Sequence, residues 1–519
     1  MAINNKISNE VNSLLNSGDY ENARRIVENE LKKITTSSDL MWIAELYGLL
    51  IDIGCESSSE NDLEKAIAFL MKTEKELGKH INKASFYYNL ANAKHGLSTI
   101  FLKENPGVQN LENIKTVLQE PINYYWLAYK HLDSKNQNGL KFQILINLSN
   151  CLIDTGRLVE AVNFLDVVLR SKPYYPQALM ARANTLGLIS TLTNCSVSVS
   201  LFVQIYKAID EAIKTDQLPE PFKRNAINKR AIVLSKIQSF GFDINSIEQE
   251  ISDSVEESQS HTRARKFAIK NFLTLNEHAL YCNCRVCGKD DLQLGVSFAV
   301  LKGEFVGKLE LLLNRLKSEY SLARHLYFQS KSKTKQDFDS GFSELNDGEI
   351  ITPKSEMLRS SFRLSYGILD KIALGICKLY NLSKNDENIL FESFWKKDDK
   401  RWENLNAIRN YHLGALYSIA CDLNTKTGEL KQFKEWRNKL EHKVLVLQQD
   451  GNKNNDILKL YEDHDFIAIT DIKDFEAKTL HLLQLTRAAI FSFVYCVRLQ
   501  TISEDKGDGK VFTVGFKKE

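Results

Sequence analysis

From about residue 5 to residue 240, apolar residues recur at i, i+3, i+4 and i+7, and polar turns interrupt the pattern at intervals of roughly 35 to 45 residues. This period predicts amphipathic helices stacked in pairs as a solenoid, because a lone pair cannot cover its own apolar face. Helices are predicted around 41–53, 63–77, 85–102 and 114–132, with a further pair over 203–237. An acidic stretch from Glu248 to Ser258 breaks the rhythm and marks a boundary. After it the pattern predicts a long helix over 305–328 and a polar loop over 330–353. Helices follow over 355–382, 402–423, 430–448 and 474–499, forming a compact bundle, and a tail after Ser503 reads as a short strand or a disordered end. The expected fold class is all-α: a helical solenoid over 1–245, a connector over 246–300, a helical bundle over 301–502 and a tail over 503–519.

The clearest repeat unit runs from Leu148 through Gly156, Arg157, Leu158 and Glu160 to Ala161 and Leu165, with Pro173 and Pro176 beyond. Gly156 suits a turn between two helices, Ala161 is small where they cross, and Pro173 ends the second helix. Gly18, Tyr20 and Ala23 repeat the spacing of Gly156, Leu158 and Ala161. Both segments resemble the tetratricopeptide repeat, while the helices between them keep the period without the signature. Stacked helix pairs form a concave groove, so a protein or peptide trigger is the expected occupant.

At 519 residues two or three domains are expected, and only 7 prolines favour long uninterrupted helices. A formal charge of +2 provides no global attraction for nucleic acid, so any RNA contact must come from a local basic surface. Nine cysteines, an odd number and mostly isolated, argue against a secreted disulfide framework. The N-terminus, Met1-Ala2-Ile3-Asn4-Asn5-Lys6, lacks the order of a signal peptide, and no run reads as the roughly 18 apolar residues of a membrane span. A cytoplasmic protein without membrane contact is expected.

Candidate chemistry lies in Trp436-Arg437-Asn438-Lys439-Leu440-Glu441-His442-Lys443. Helix positions five apart are separated by about 7.5 Å along the axis and about 140° around it, so Arg437 and His442 can flank one phosphate without touching. Histidine, with an ordinary pKa of about 6.5, can move a proton near neutrality, whereas Arg437 stays cationic and offers planar donors to developing negative charge. Asn438 shares a face with His442 and can position it or the RNA. Glu441 can orient a cation, and Lys439 and Lys443 add local positive charge.

The Arg-x4-His spacing, with Asn directly after the Arg, resembles the signature of the HEPN superfamily, many of whose members are endoribonucleases. The blocks Ala323 to Phe328, Ser361 to Ala373 and Arg437 to Lys443 fall in the order of a bacterial HEPN branch with N-terminal tetratricopeptide-like repeats. The resemblance covers about residues 300 to 500. It implies a metal-independent endoribonuclease acting on tRNA or other cellular RNA, with Arg437 and His442 as its catalytic pair. It further implies a homodimer formed through the HEPN domain, in which two motifs build one cleft, and a role as a toxin or antiviral defence effector. Tyr366, Asp370 and Arg363 fall in the second block, where buried support for the motif is the expectation, and Arg324 reads as a phosphate contact or a structural ion pair. A plainer reading treats the motif as a charged helix surface and the chain as a non-catalytic interaction scaffold with a nucleotide- or RNA-binding HEPN domain.

Cys282, Cys284 and Cys287, with His278 four residues earlier, offer three thiolates and an imidazole to a structural zinc. Without metal they read as a reduced connector, and the proposed chemistry requires no cofactor. No nucleotide-phosphate loop, metalloprotease pair or serine-hydrolase elbow is present in the sequence.

Overall fold

Two glycines at matching places in the repeat pattern end two helices in the same way. Gly18 (φ +82°) and Gly156 (φ +86°) both adopt the left-handed conformation that favours glycine. Gly18 N–H bonds to Leu15 O at 3.0 Å and Asp19 N–H to Leu14 O at 2.9 Å; Gly156 N–H bonds to Ile153 O at 2.9 Å and Arg157 N–H to Leu152 O at 2.8 Å. Both are the same paired closure of terminal carbonyls at a helix end. They join α1 (Ala2–Ser17) to α2 (Tyr20–Lys32) and α8 (Asn138–Asp154) to α9 (Leu158–Ser171).

In the computed structural model, the residues described are 2–35, 39–79, 81–106, 110–133, 138–192, 195–244, 262–282, 285–295, 306–332, 349–382, 389–397, 400–449 and 466–504. The acidic stretch from Glu248 to Ser258, most of the 330–353 loop and the tail lie outside them. The chain divides into two units, Met1–Thr191 with Ser198–Ile247, and Leu192–Val197 with Glu248–Glu519.

The first unit continues with α3 (Leu40–Ser57), α4 (Glu60–Leu77), α5 (Lys83–Glu104) and α6 (Leu111–Asn113), which runs through a π turn over Ile114–Leu118 into α7 (Gln119–Lys130). Beyond α9 come α10 (Pro176–Ser190), α11 (Cys195–Lys214) and α12 (Glu220–Ser239). Neighbouring helices bury their apolar faces in local clusters, as the repeating pattern requires. Leu46, Leu50 and Ile53 of α3 meet Ala23 and Val27 of α2, while Leu63, Ala66 and Leu70 of α4 meet Phe86, Leu90 and Ala93 of α5.

The second unit contains α13 (Arg263–Lys270), α14 (Val306–Ser330), α15 (Pro353–Leu379), α16 (Phe391–Phe394), α17 (Trp402–Ala407), α18 (Tyr411–Asp422), α19 (Gln432–His442), β1 (Val444–Gln448), β2 (Ile467–Asp471) and α20 (Ile472–Glu504). A capping box of Thr352 and Ser355 with Pro353 at the first turn starts α15. Gly375 lets α14 and α20 approach closely, since a Cβ there would meet Leu312 and Phe493 at 2.8 Å. α20 is the core helix. Ile472–Thr501 is long and apolar enough to cross a membrane by length and composition, which the sequence reading overlooked, and 83% of its most apolar window is buried inside the protein.

Two predicted helices are divided. The run over 402–423 breaks where Asn410 caps α18 by accepting from His412 and Leu413 N–H, while its amide donates to Cys496 O at 2.9 Å. The run over 430–448 stops at His442: Lys443 is extended, and Val444–Gln448 pairs in parallel with Ile467–Asp471. Val444-Leu445-Val446-Leu447 suits a buried strand as well as a helix, and pairing decides the outcome.

The stretch read as a connector is built into this unit. Leu273, Leu275, Leu280, Leu292 and Leu294 are buried, and Arg487 Nε of α20 donates to Thr274 O at 2.7 Å. Arg324 of α14 clasps both oxygens of Asp290, at 2.9 and 2.6 Å, and reaches Leu273 O at 2.8 Å. Burial alone would raise the Asp290 pKa, but the hydrogen bonds and charge of Arg324 outweigh it and hold the carboxyl below its ordinary value. This contribution to stability is complete above the unfolded carboxylate pKa of about 4 and is lost as pH falls through the lowered folded value. Asp290→Ala strands a largely buried guanidinium and is expected to destabilise the unit by about 3 kcal/mol, read as a lower thermal midpoint at pH 7.

Candidate active site

The turn before α19 leaves no room for a side chain at one position. A Cβ on Gly428 would lie 2.2 Å from Asp422 O, and Asn424 Oδ1 closes the turn by accepting from Lys426 and Thr427 N–H at 2.9 and 3.2 Å. The helix then presents two faces. On one, Phe433 packs edge-on to Phe362 of α15 and to His481 of α20, with centroids 6.1 and 5.4 Å apart, and Trp436 lies 5.2 Å from Phe475. This aromatic seam fixes the rotation of α19 and therefore where its polar residues point.

On the polar face, Arg437 lies against α15. Its guanidinium is 5.9 Å from the Tyr366 ring centroid and 3.9 Å from Asp370 Oδ2, and Nη1 donates to Asn438 Oδ1 at 3.3 Å. The four-residue spacing of Tyr366 and Asp370 thus brings both to one cation. Burial raises the Asp370 pKa, opposed by the Phe391 N–H bond at 2.8 Å and by Arg437. Burial likewise pushes up the Tyr366 phenol, so its hydroxyl stays protonated at neutral pH. With 24% of its side chain exposed, Arg437 is oriented but still accessible.

His442 is the last residue of α19 and is exposed. Two residues later, Val444 N–H bonds to Phe466 O at 3.1 Å and the sheet begins. On the other side of β1, Ile350 N–H reaches Leu447 O at 2.8 Å, and Arg359 bonds to Leu445 O at 3.1 Å and to Glu349 at 2.9 Å. The imidazole therefore stands in solvent on a backbone tied at both ends.

Glu441 and Lys443 are exposed and Lys439 is half-buried. Arg363 makes only a long contact to Ser360 Oγ at 3.4 Å, and the donors of Arg324 are engaged by Asp290 and Leu273. The sequence reading missed the pairing of Lys434 with Glu392 beside Arg437. Lys434 lies three residues before Arg437 on the same face, which was a usable signal; Glu392 had none. In the cysteine segment, Cys287 Sγ donates to Cys282 O at 3.0 Å and Cys282 N–H to His278 O at 2.8 Å, while Cys284 lies outside the described residues. Among the described residues no three His, Cys, Asp or Glu side chains converge as metal ligands.

The helical bundle with its Arg-x4-His helix held against the second long helix is the arrangement on which the resemblance to HEPN domains rests; HEPN domains are generally ribonucleases and often bind RNA and dimerise. Residues 301–500 match the family model described as LA2681-like HEPN, so the chain carries an HEPN domain of that type in its C-terminal part. No curated protein and no solved structure matches the chain.

Proposed function

We propose that the protein is a metal-independent endoribonuclease. The observation that supports it most is an oriented, accessible Arg437 on the same helix as an exposed His442, within an LA2681-like HEPN domain. His442 takes the proton from a ribose 2′-hydroxyl, the 2′-oxygen attacks the adjacent phosphorus, and the bond to the 5′-oxygen breaks. The products are a 2′,3′-cyclic phosphate and a 5′-hydroxyl, the latter receiving a proton from an imidazolium. Arg437 holds the phosphoryl oxygens as charge accumulates on them. Asn438, Lys439, Glu441 and Lys443 border the RNA path, while Tyr366 and Asp370 position Arg437.

In this reading two chains pair through their HEPN domains so that both motifs face one cleft, and the second His442 serves as the acid. The N-terminal groove receives a protein or peptide trigger, and the cleaved species is tRNA or other cellular RNA in the cytoplasm, as in a toxin or antiviral effector. The competing scaffold reading draws on the contacts of Arg437 with Tyr366 and Asp370, which would also steady a purely structural helix.

Purified protein incubated with total tRNA in EDTA, alongside Arg437→Ala and His442→Ala, separates the two. Fragments ending in cyclic phosphate that disappear in both variants support the nuclease. Cleavage that survives in both removes the site, and its absence under every condition, candidate triggers included, leaves the scaffold. Asp370→Asn is expected to lower the cleavage rate about tenfold, or ~1.4 kcal/mol, through loss of the carboxylate charge that orients Arg437 from 3.9 Å, with a thermal midpoint near that of the parent. A structural zinc on His278, Cys282, Cys284 and Cys287 belongs to the same proposal, and metal analysis of the parent against Cys284→Ser decides it.

A further inference from the structure

The first unit encloses a cavity of about 420 Å³, walled by α1, α2, α3, α5, α7 and α8 and by the start of α12. Its volume falls in the range of small-ligand sites. Two of its walls differ in how their polar groups are used.

On α5, α7 and α8 the polar groups satisfy one another. Tyr125 Oη donates to Asn92 Oδ1 at 2.6 Å, and Asn147 Nδ2 donates to the same oxygen at 3.0 Å and to Tyr88 Oη at 3.1 Å. His95 Nε2 lies 3.1 Å from Asp154 Oδ2. Burial works against the His95 charge, but Cys151 and Asp154 outweigh it and keep the imidazolium, so this pair is neutral as a unit. The wall is thereby rigid and carries no net charge.

On α3 the opposite holds. Asp52 and Glu56, one turn apart, both line the cavity. The Asp52 carboxyl opens on the cavity's solvent yet receives no hydrogen bond and pairs with no cation in the described structure. Crowding by the surrounding walls, together with Glu56, raises its pKa to about 6, as expected of a carboxylate lacking a counter-charge. The aromatic rings of Tyr20, Tyr88, Tyr125 and Phe222 complete the lining and offer π faces to a cation. The cavity thus holds the uncompensated Asp52 carboxylate, the Glu56 carboxylate that Lys103 offsets in part, aromatic walls and a fixed amide network, a combination that rejects anions and suits a slender cation.

We propose that this cavity is a recognition site for a primary ammonium or guanidinium group, clamped by the Asp52 and Glu56 carboxylates against the Tyr88–Asn92–Tyr125 wall. The group is carried by a lysine or arginine side chain of a peptide, or by a free polyamine. For the peptide source the proposal rests on the reading of this groove as the trigger site; as a cation site it is independent of any nuclease activity.

Calorimetric titration of the full-length protein with Ac-Gly-Lys-Gly-NH2, with spermidine and with the neutral Ac-Gly-Gln-Gly-NH2 tests it. Binding of a cationic probe, absent for the glutamine peptide, is expected. Asp52→Asn should weaken it about tenfold or more, and Asp52→Asn with Glu56→Gln should abolish it while the thermal midpoint stays at or above that of the parent, because two like charges are removed from a crowded wall. Binding of the peptide alone assigns the source to a peptide, and of spermidine alone to a free amine. If neither cation binds, if the glutamine peptide binds equally, or if the double variant retains full affinity, the proposal falls. RNA cleavage in the same preparations is scored separately, so an inactive protein that binds lysine peptide removes the nuclease and leaves this site intact.

Discussion

Alanine at Arg437 or at His442 is expected to cut the rate of RNA cleavage by about 10²- to 10³-fold, the usual cost of losing a proton-transfer group or a transition-state donor. The double variant should be little worse than the poorer single one, because groups that act as a unit do not lose their contributions additively. His442→Ala should leave the thermal midpoint within about a degree of the parent, since an exposed side chain away from packing changes stability by less than about 0.5 kcal/mol. Arg437→Lys gives the sharper test of mechanism. It keeps the charge but not the planar donors, so a phosphate clamp predicts most of the loss seen with alanine, whereas a bare attraction for RNA predicts near-parental rates. Initial rates on a defined oligonucleotide, with circular dichroism as the control for folding, provide both readings.

Phe433→Ala acts on the same site without touching it chemically. The ring is fully buried between Phe362 and His481, and a Phe to Ala change in a core costs about 3 to 5 kcal/mol. For a unit of this size that is a fall of roughly 10 °C in the midpoint of the HEPN domain. Below the new midpoint, cleavage should also decline, because the aromatic seam sets the rotation of α19 that keeps Arg437 beside Tyr366 and Asp370. Phe433→Leu should recover most of the stability and the rate together. Recovery of stability without the rate would mean that the seam contributes more than rotation.

How far the sequence carried these conclusions depends on the distance over which each feature is encoded. Gly18 and Gly156 announced identical helix ends because the requirement for a left-handed residue is local. Tyr366 and Asp370 were legible as a pair from their spacing, although the sequence did not reveal that the pair meets Arg437. The strand at 444–448 was hidden because a continuous apolar run satisfies either structure, and its partner stands more than twenty residues away. The break at Asn410 was equally hidden, since its amide answers a carbonyl on α20 rather than anything nearby. Asp290 and Arg324 were noticed separately or not at all, and only the folded chain turns the supposed connector into part of the bundle. The cavity in the first unit, assembled from seven separate elements, has no counterpart in any local pattern.

The abrupt passage from α19 into β1 gives His442 a coordinate that can be read along the sheet. Val444 faces Ile467 at the start of the ladder, and the ladder ends at Asp471, where α20 begins. The imidazole is therefore indexed to the core helix by a count of strand residues rather than by the packing of its own side chain. One step of slippage between the strands would carry it about 3.3 Å along the ribbon and exchange the side chains on the two covered faces of β1. Because Leu445, Val446 and Leu447 are each packed to fit their own face, that exchange is opposed by the interior of the domain, which acts as a ratchet tooth for an exposed side chain.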